Sequence, residues 1–170
     1  MAYCNSHTLA GTSTDCSGSL GGLKKVYITH FSDNLFVMSG ETVTSFKTGT
    51  TWYTYNFRPE TASFTSTLQK TDGGGSYVTT EISLVFPRMD AAKRAEMNAL
   101  ALDDLVVIAV DNNGAYHAFG RWLPVVASTG TGETGTAYGD SNQYTLTLTA
   151  ADNDFAPFLS DAAIASLPED

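Results

Sequence analysis

The side chains able to do acid–base, nucleophilic or metal chemistry are few in this chain, and their spacing suits none of those tasks. His7, His30 and His117 are the only histidines. No serine stands in the Gly-x-Ser-x-Gly turn that presents a hydrolase nucleophile. His117 is expected to point from a hairpin strand towards solvent. Cys4 and Cys16 have only His7 between them, too few ligands for a tetrahedral zinc site. The two cysteines can pair or remain thiols. The opening Met1-Ala-Tyr-Cys-Asn-Ser6 lacks the basic and apolar regions of a secretory leader, which favours thiols. Asp111-Asn-Asn113 and Asp152-Asn-Asp154 resemble pieces of calcium loops, but neither continues into the required glycine and distant glutamate, and Asx turns account for both. Gly73–Gly75 and Gly130–Gly135 lack the Lys-Ser/Thr ending and following helix of a phosphate loop, so they read as a hairpin turn and a mobile loop. Asp103 and Asp104 could form an acid–base pair, yet their place between a helix and a strand makes them a solvated corner. Trp52, Tyr53, Tyr55 and Phe57 can stack on a sugar or base, or pack in a core or at a subunit interface, and packing is the favoured role. These residues predict no enzyme, no metal and no cofactor. A β domain of this kind acts by assembling or binding.

The elements that must position these residues come from one domain, residues 1–170. A chain of 170 residues with 42% hydrophobic content builds a sizeable core, which excludes a disordered tail. Charged residues are only 16%, against about 25% in an average soluble domain. Threonine (23) and serine (15) supply the missing polarity and suit strands and turns. The net charge of −9 argues against an electrostatic nucleic-acid or anionic-membrane binder. That charge is uneven: residues 1–85 carry 5 basic and 6 acidic groups, residues 86–170 carry 4 and 12. No apolar run is long enough to span a bilayer.

Residues 1–22 are rich in Gly, Ser and Thr and read as an irregular N-terminal arm. Order is expected from Leu23, where Val26 and Ile28 alternate with polar neighbours as on a half-buried strand. Shorter alternating stretches follow at 35–43 and 51–57. Ala62, Phe64, Ser66 and Leu68 share one face of a strand, and Val78, Thr80, Ile82, Leu84 and Phe86 one face of the next. The turn Thr71–Ser76 joins them as an antiparallel hairpin. Asp90 is suited to cap a helix over Ala91–Leu102, whose Ala92, Ala95, Ala99 and Leu102 form a slim stripe expected to lie against a sheet. Leu105–Val110 reads as a buried strand. A turn at Asp111–Gly114, with left-handed candidates Asn113 and Gly114, leads to a partner strand within 115–123. Residues 128–142, with four glycines, read as a long loop, and Tyr144, Leu146 and Leu148 mark a last strand before a C-terminal tail at 157–170.

From Asn56 to Leu159 the chain resembles the tail tube (major tail) proteins of long-tailed bacteriophages, particularly those of Bacteroidetes-type hosts. The residues that carry the likeness are Phe57-Arg-Pro-Glu60 with Ala62-Ser-Phe64, the hairpin, the Asp90–Leu102 helix, the run Leu105–Gly120 and the run Thr134–Leu148. Upstream, Cys16 followed by Gly21-Gly-Leu-Lys-Lys-Val-Tyr-Ile28 is similar to the opening of that family.

The resemblance implies a mainly β fold, a β-sandwich or barrel-like tail tube domain with one flanking helix and extended arms. It implies hexameric rings stacked into a tube that conducts viral DNA without binding it specifically. Tape-measure, tail terminator and baseplate proteins would be partners, in the virion tail and in the host cytoplasm during assembly. Arms 1–22 and 128–142 would order on assembly. An acidic lumen would repel phosphate, with Asp111 and Glu133 as the first candidates to line it and Asp103 and Asp104 the next. Trp52, Tyr53, Tyr55 and Phe57 would lie between subunits. The rival reading is a head-decoration or fibre-type β-sandwich that exposes those aromatics to a carbohydrate or receptor.

Overall fold

The computed structural model describes residues 10–14 and 16–169. Cys4 and His7 lie outside the described residues, and Cys16 is an exposed free thiol. The fold is mainly β, with two sheets packed face to face.

The larger sheet contains seven strands: β1 (Leu23–His30), β2 (Phe36–Ser39), β3 (Thr42–Phe46), β4 (Tyr53–Asn56), β7 (Leu105–Asp111), β8 (Tyr116–Phe119) and β11 (Phe158–Leu159). Their order is β2-β3-β11-β8-β7-β1-β4. The smaller sheet contains β5 (Ala62–Lys70), β6 (Ser76–Pro87), β9 (Val126–Glu133) and β10 (Gln143–Asp152), in the order β5-β6-β10-β9. Helix α1 (Ala91–Leu102) connects β6 to β7, and the short α2 (Asp161–Ala165) follows β11.

Between the sheets lies the first hydrophobic cluster, built from Val26, Ile28, Val107 and Phe119 on one side and Ile82, Leu84, Leu146 and Leu148 on the other. Each of these side chains removed from water contributes roughly 1.5–3 kcal/mol. A second cluster covers the opposite face of the larger sheet, where Tyr27, Val106, Ile108 and Val110 meet Val43, Leu159 and Ala163. The larger sheet curls around it, so that Phe46 at the end of β3 meets Trp52 just before β4 with ring centroids 5.0 Å apart. Two clusters explain why β1 departs from the expected half-buried pattern. Val26, Tyr27, Ile28 and Thr29 are all buried, because both faces of this strand are covered.

The hairpin forms as expected, with Ala62 opposite Leu84, Phe64 opposite Ile82, Ser66 opposite Thr80 and Leu68 opposite Val78. Helix α1 also has the expected ends. The Asp90 carboxylate accepts from Lys93 N at 2.8 Å and supplies an oxygen that the first turn would otherwise lack. Its buried face is not the expected one. Lys93, Met97 and Leu100 face the protein, whereas Ala92, Ala95, Ala99 and Leu102 are exposed. Lys93 Nζ donates to Pro87 O and Arg88 O at 2.6 and 2.9 Å and ties the helix to the end of β6. Alanine methyls bury too little area to compete with Met97 and Leu100 for the inward position.

Two further expectations are corrected. Residues 128–133 are not loop but part of β9, paired along β10 from Thr149 opposite Val126 to Gln143 opposite Glu133. Only 134–142 remain a loop. The C-terminal segment 157–170 is not a plain tail: β11 pairs with β3 and β8, and α2 buries Ala163 in the second cluster. The end of the N-terminal arm is held as well. Leu20 N donates to Asn113 Oδ1 at 2.8 Å, and Asn112 Nδ2 donates to Gly21 O at 2.6 Å.

Candidate functional site

The sequence-predicted residues do not all converge, although Tyr53, Tyr55 and Asp103 line one cavity of about 240 Å³ together with His30. Asp111 ends β7, and its carboxylate closes the following turn by accepting from Asn113 N and Ala115 N at 2.9 and 2.8 Å. Of the two left-handed candidates in that turn, only Gly114 adopts a positive φ, +85°. Oδ2 of Asp111 lies 3.3 Å from His117 Nε2. His117 does not point to solvent: it is mostly buried, with its ring between Phe64 and Phe158 at centroid distances of 5.0 and 4.9 Å. Aromatic contacts on both sides hold the imidazole in place, so Asp111 and His117 form a structural pair on the larger sheet.

Burial pushes the Asp111 carboxyl up, but hydrogen bonds from Ala115 N, His117 and Asn113 N outweigh it and leave the group below its ordinary value. An aspartate whose folded pKa lies below the unfolded value of about 3.9 stabilises the fold above that pH, and the contribution is lost as pH falls through the folded pKa. Asp111→Asn is therefore expected to flatten the acid limb of stability, followed by urea unfolding from about pH 6 down to pH 2. An unchanged slope would show that the carboxylate is not anchored by its turn.

Asp103 caps the end of α1, 3.4 Å from His30 Nδ1, and the backbone carbonyl of Asp104 accepts from Phe31 N at 2.8 Å. Both belong to the helix–strand corner. Glu133 alone of the four acidic candidates lies on the smaller sheet, where its Oε1 accepts from Gln143 Nε2 at 2.9 Å.

The aromatic cluster divides. Trp52 is 8% exposed and belongs to the second cluster, with its Nε1 lacking a partner among the described residues. Tyr53 is half exposed. Tyr55 donates its hydroxyl to Glu96 Oε2 at 2.9 Å, and burial together with that carboxylate pushes its pKa up. Phe57 packs on Phe86 with centroids 5.4 Å apart. Three of the four rings are thus engaged within the subunit.

What the structure does bring together is the outer face of the smaller sheet. The inner positions of β5, β6 and β10 are mostly apolar, with Ser66 and Thr80 as polar exceptions, so the alternate residues point away from the core. Register places Ser63, Ser83, Thr147 and Thr129 in one row across all four strands, and Thr65, Glu81, Thr149 and Val126 in the next. Thr145 and Thr131 continue the pattern, and Gln143 and Glu133 close it at one end. The surface bears mostly hydroxyls, with Val85 in the row of Thr145 and Thr131, and with Glu81 near its centre. Glu81 was not among the candidates, although the alternation Thr80-Glu81-Ile82 places it there once Thr80 and Ile82 are assigned inward.

The two outside strands of this sheet, β5 and β9, each pair on one side only. Neither contains proline, and β9 has no lysine to discourage pairing. Glycines occupy the inward positions 130 and 132 of β9. A Cβ on Gly132 would approach the Tyr144 ring to 3.0 Å, so that ring fills the space the glycine leaves. Between β9 and α1 runs a groove of about 360 Å³ flanked by Arg94, Met97 and Ala101. Comparison with protein-family models, with curated proteins and with solved structures finds no match to this chain.

Proposed function

We propose that this chain is a structural subunit whose copies join through the open edges of the smaller sheet into hexameric rings, stacked as the tail tube of a long-tailed bacteriophage. The observation that supports the reading most is the four-stranded sheet with two unpaired edges and a hydroxyl face. Exposed edges offer a row of unpaired N–H and C=O groups, and ring closure removes them by pairing β5 of one copy with β9 of the next. The inner face of that sheet is already packed on the larger sheet, so the Ser/Thr face is the one left to line a bore.

Such a bore carries hydroxyls with Glu81 and Glu133 as its carboxylates, and it holds phosphate off by charge while offering it no cation. Asp111, Asp103 and Asp104 then serve the subunit's own turns and corners. Viral DNA is the passing polymer, tape-measure, terminator and baseplate proteins are the partners, and the subunit has no catalytic role. The rival carbohydrate- or receptor-binding reading asks for a displayed aromatic platform, and the burial of Trp52 removes the largest ring from it. Negative-stain microscopy of the purified full chain is expected to show rings or tubes. A compact monomer at all micromolar concentrations would overturn the proposal.

A further inference from the structure

The cavity of about 240 Å³ between helix α1 and the strands β1 and β4 takes no part in the proposed assembly. Its floor is apolar, made of Ile28, Leu100 and Leu105, all buried. Tyr53 and Tyr55 form the wall on the β4 side, where register sets Tyr53 opposite Ile28. Glu96 and Asp103 stand on the helix side. Two helical turns separate these carboxylates, ~10 Å along the axis, and Leu100 lies on the same face between them. The cavity is smaller than the ~300–1,000 Å³ of a drug-sized site, so it suits a slim ligand.

The ionisable groups of its lining are these two carboxylates, the two tyrosines and His30, with no lysine or arginine among the described residues. Lys93, one turn before Glu96, is held by Pro87 O, Arg88 O and, at 3.3 Å, Asp90 Oδ2. Tyr55 donates to Glu96 Oε2, which leaves Oε1 without a protein partner among the described residues. Asp103 Oδ2 faces the His30 imidazole at 3.4 Å, and that ring is mostly in water, where an incoming cation can replace it. A slim hydrocarbon chain with a positive charge at each end matches this lining. The floor takes methylenes, the tyrosine faces attract an ammonium group, and each carboxylate accepts its hydrogen bonds.

We infer that this cavity binds an aliphatic diamine, with one ammonium group at Glu96, the other at Asp103, and the methylene chain laid over Ile28, Leu100 and Leu105 beside the two tyrosines. An uncharged chain would leave both carboxylates unmatched, and an anion would be repelled by them. A monoamine would satisfy one end only. The inference goes beyond the tail tube reading and does not depend on it.

The test is calorimetric titration of the full chain with cadaverine, set against pentylamine and pentanediol, which have the same chain length with one charge and none. Cadaverine is expected to bind about tenfold or more tighter than pentylamine, the worth of a second charge-assisted contact. Pentanediol is expected to give no heat of binding. Glu96→Gln keeps an oxygen to accept from Tyr55 and loses the charge, and Asp103→Asn does the same beside His30. Each is expected to bring cadaverine down to the affinity of pentylamine. Asp72→Asn, in the exposed turn between β5 and β6, removes an equal charge elsewhere and is expected to change nothing. Unchanged melting temperatures confirm the fold of all three variants. Equal affinity for cadaverine and pentylamine would overturn the two-ended site in favour of a single ammonium, as on a lysine side chain. A loss in Asp72→Asn as large as in the other two would also overturn it, as diffuse attraction of cations to an acidic chain. Absence of cadaverine binding at low ionic strength would overturn it outright.

Discussion

Of two proline variants at neighbouring positions of β9, Gly130→Pro and Thr131→Pro, one is expected to keep the melting temperature of the subunit and lose all rings and tubes. The argument rests on strand geometry. Successive backbone N–H groups of an edge strand point alternately towards its partner and away from it. Proline removes one N–H, so at one of the two positions it deletes a bond to β10 and weakens the subunit. At the other it deletes only an outward donor, which the free protein leaves to water and which a paired neighbouring copy would need. The readouts are thermal unfolding of the subunit and microscopy of the assembly. If the variant that keeps its melting temperature also assembles normally, β9 is not a joining edge, and ring closure through this sheet is wrong.

The second large effect concerns the first cluster. Leu148 is fully buried between the sheets, on the inner strand β10. Leu148→Ala deletes apolar contacts and leaves a cavity that the flanking strands cannot collapse around, because β10 is paired along both edges. Its expected cost is about 2–5 kcal/mol, a large part of the ~5–15 kcal/mol that holds a typical domain folded. The urea midpoint should fall with little change in slope. A loss below about 1 kcal/mol would mean that the two sheets are less closely packed here than a native core.

The elements with strong local signals were legible in the sequence. The hairpin of β5 and β6 shows two apolar alternations around a glycine turn, and α1 shows good helix formers behind an aspartate cap. Strand β7 is a continuous apolar run, as a strand covered on both faces must be. Strand β9 was hidden for a physical reason. Its inward positions are glycines, and the volume they leave is taken by Tyr144 on the neighbouring strand, so the segment has no apolar period of its own. The place of α1 was legible but its inward face was not, since Lys93 is fixed by carbonyls of Pro87 and Arg88 that only the fold brings near. His117 was misplaced because the rings that enclose it come from Phe64 and Phe158, far away in sequence. The acidic candidates followed charge by halves of the chain, whereas the sheet groups charges by strand parity, and Glu81 emerges only from the latter.

Strand β7 sends Val107 and Ala109 into one hydrophobic cluster and Val106, Ile108 and Val110 into the other. Strand β1 divides itself in the same way, with Val26 and Ile28 on one side and Tyr27 on the other. The two cores therefore share a wall one strand thick. Disorder in either would strip a face from the same two strands and withdraw the support of the other, so the cores have no route to melt one after the other. A single thermal transition, with both cores lost together, is the expected consequence of that common wall.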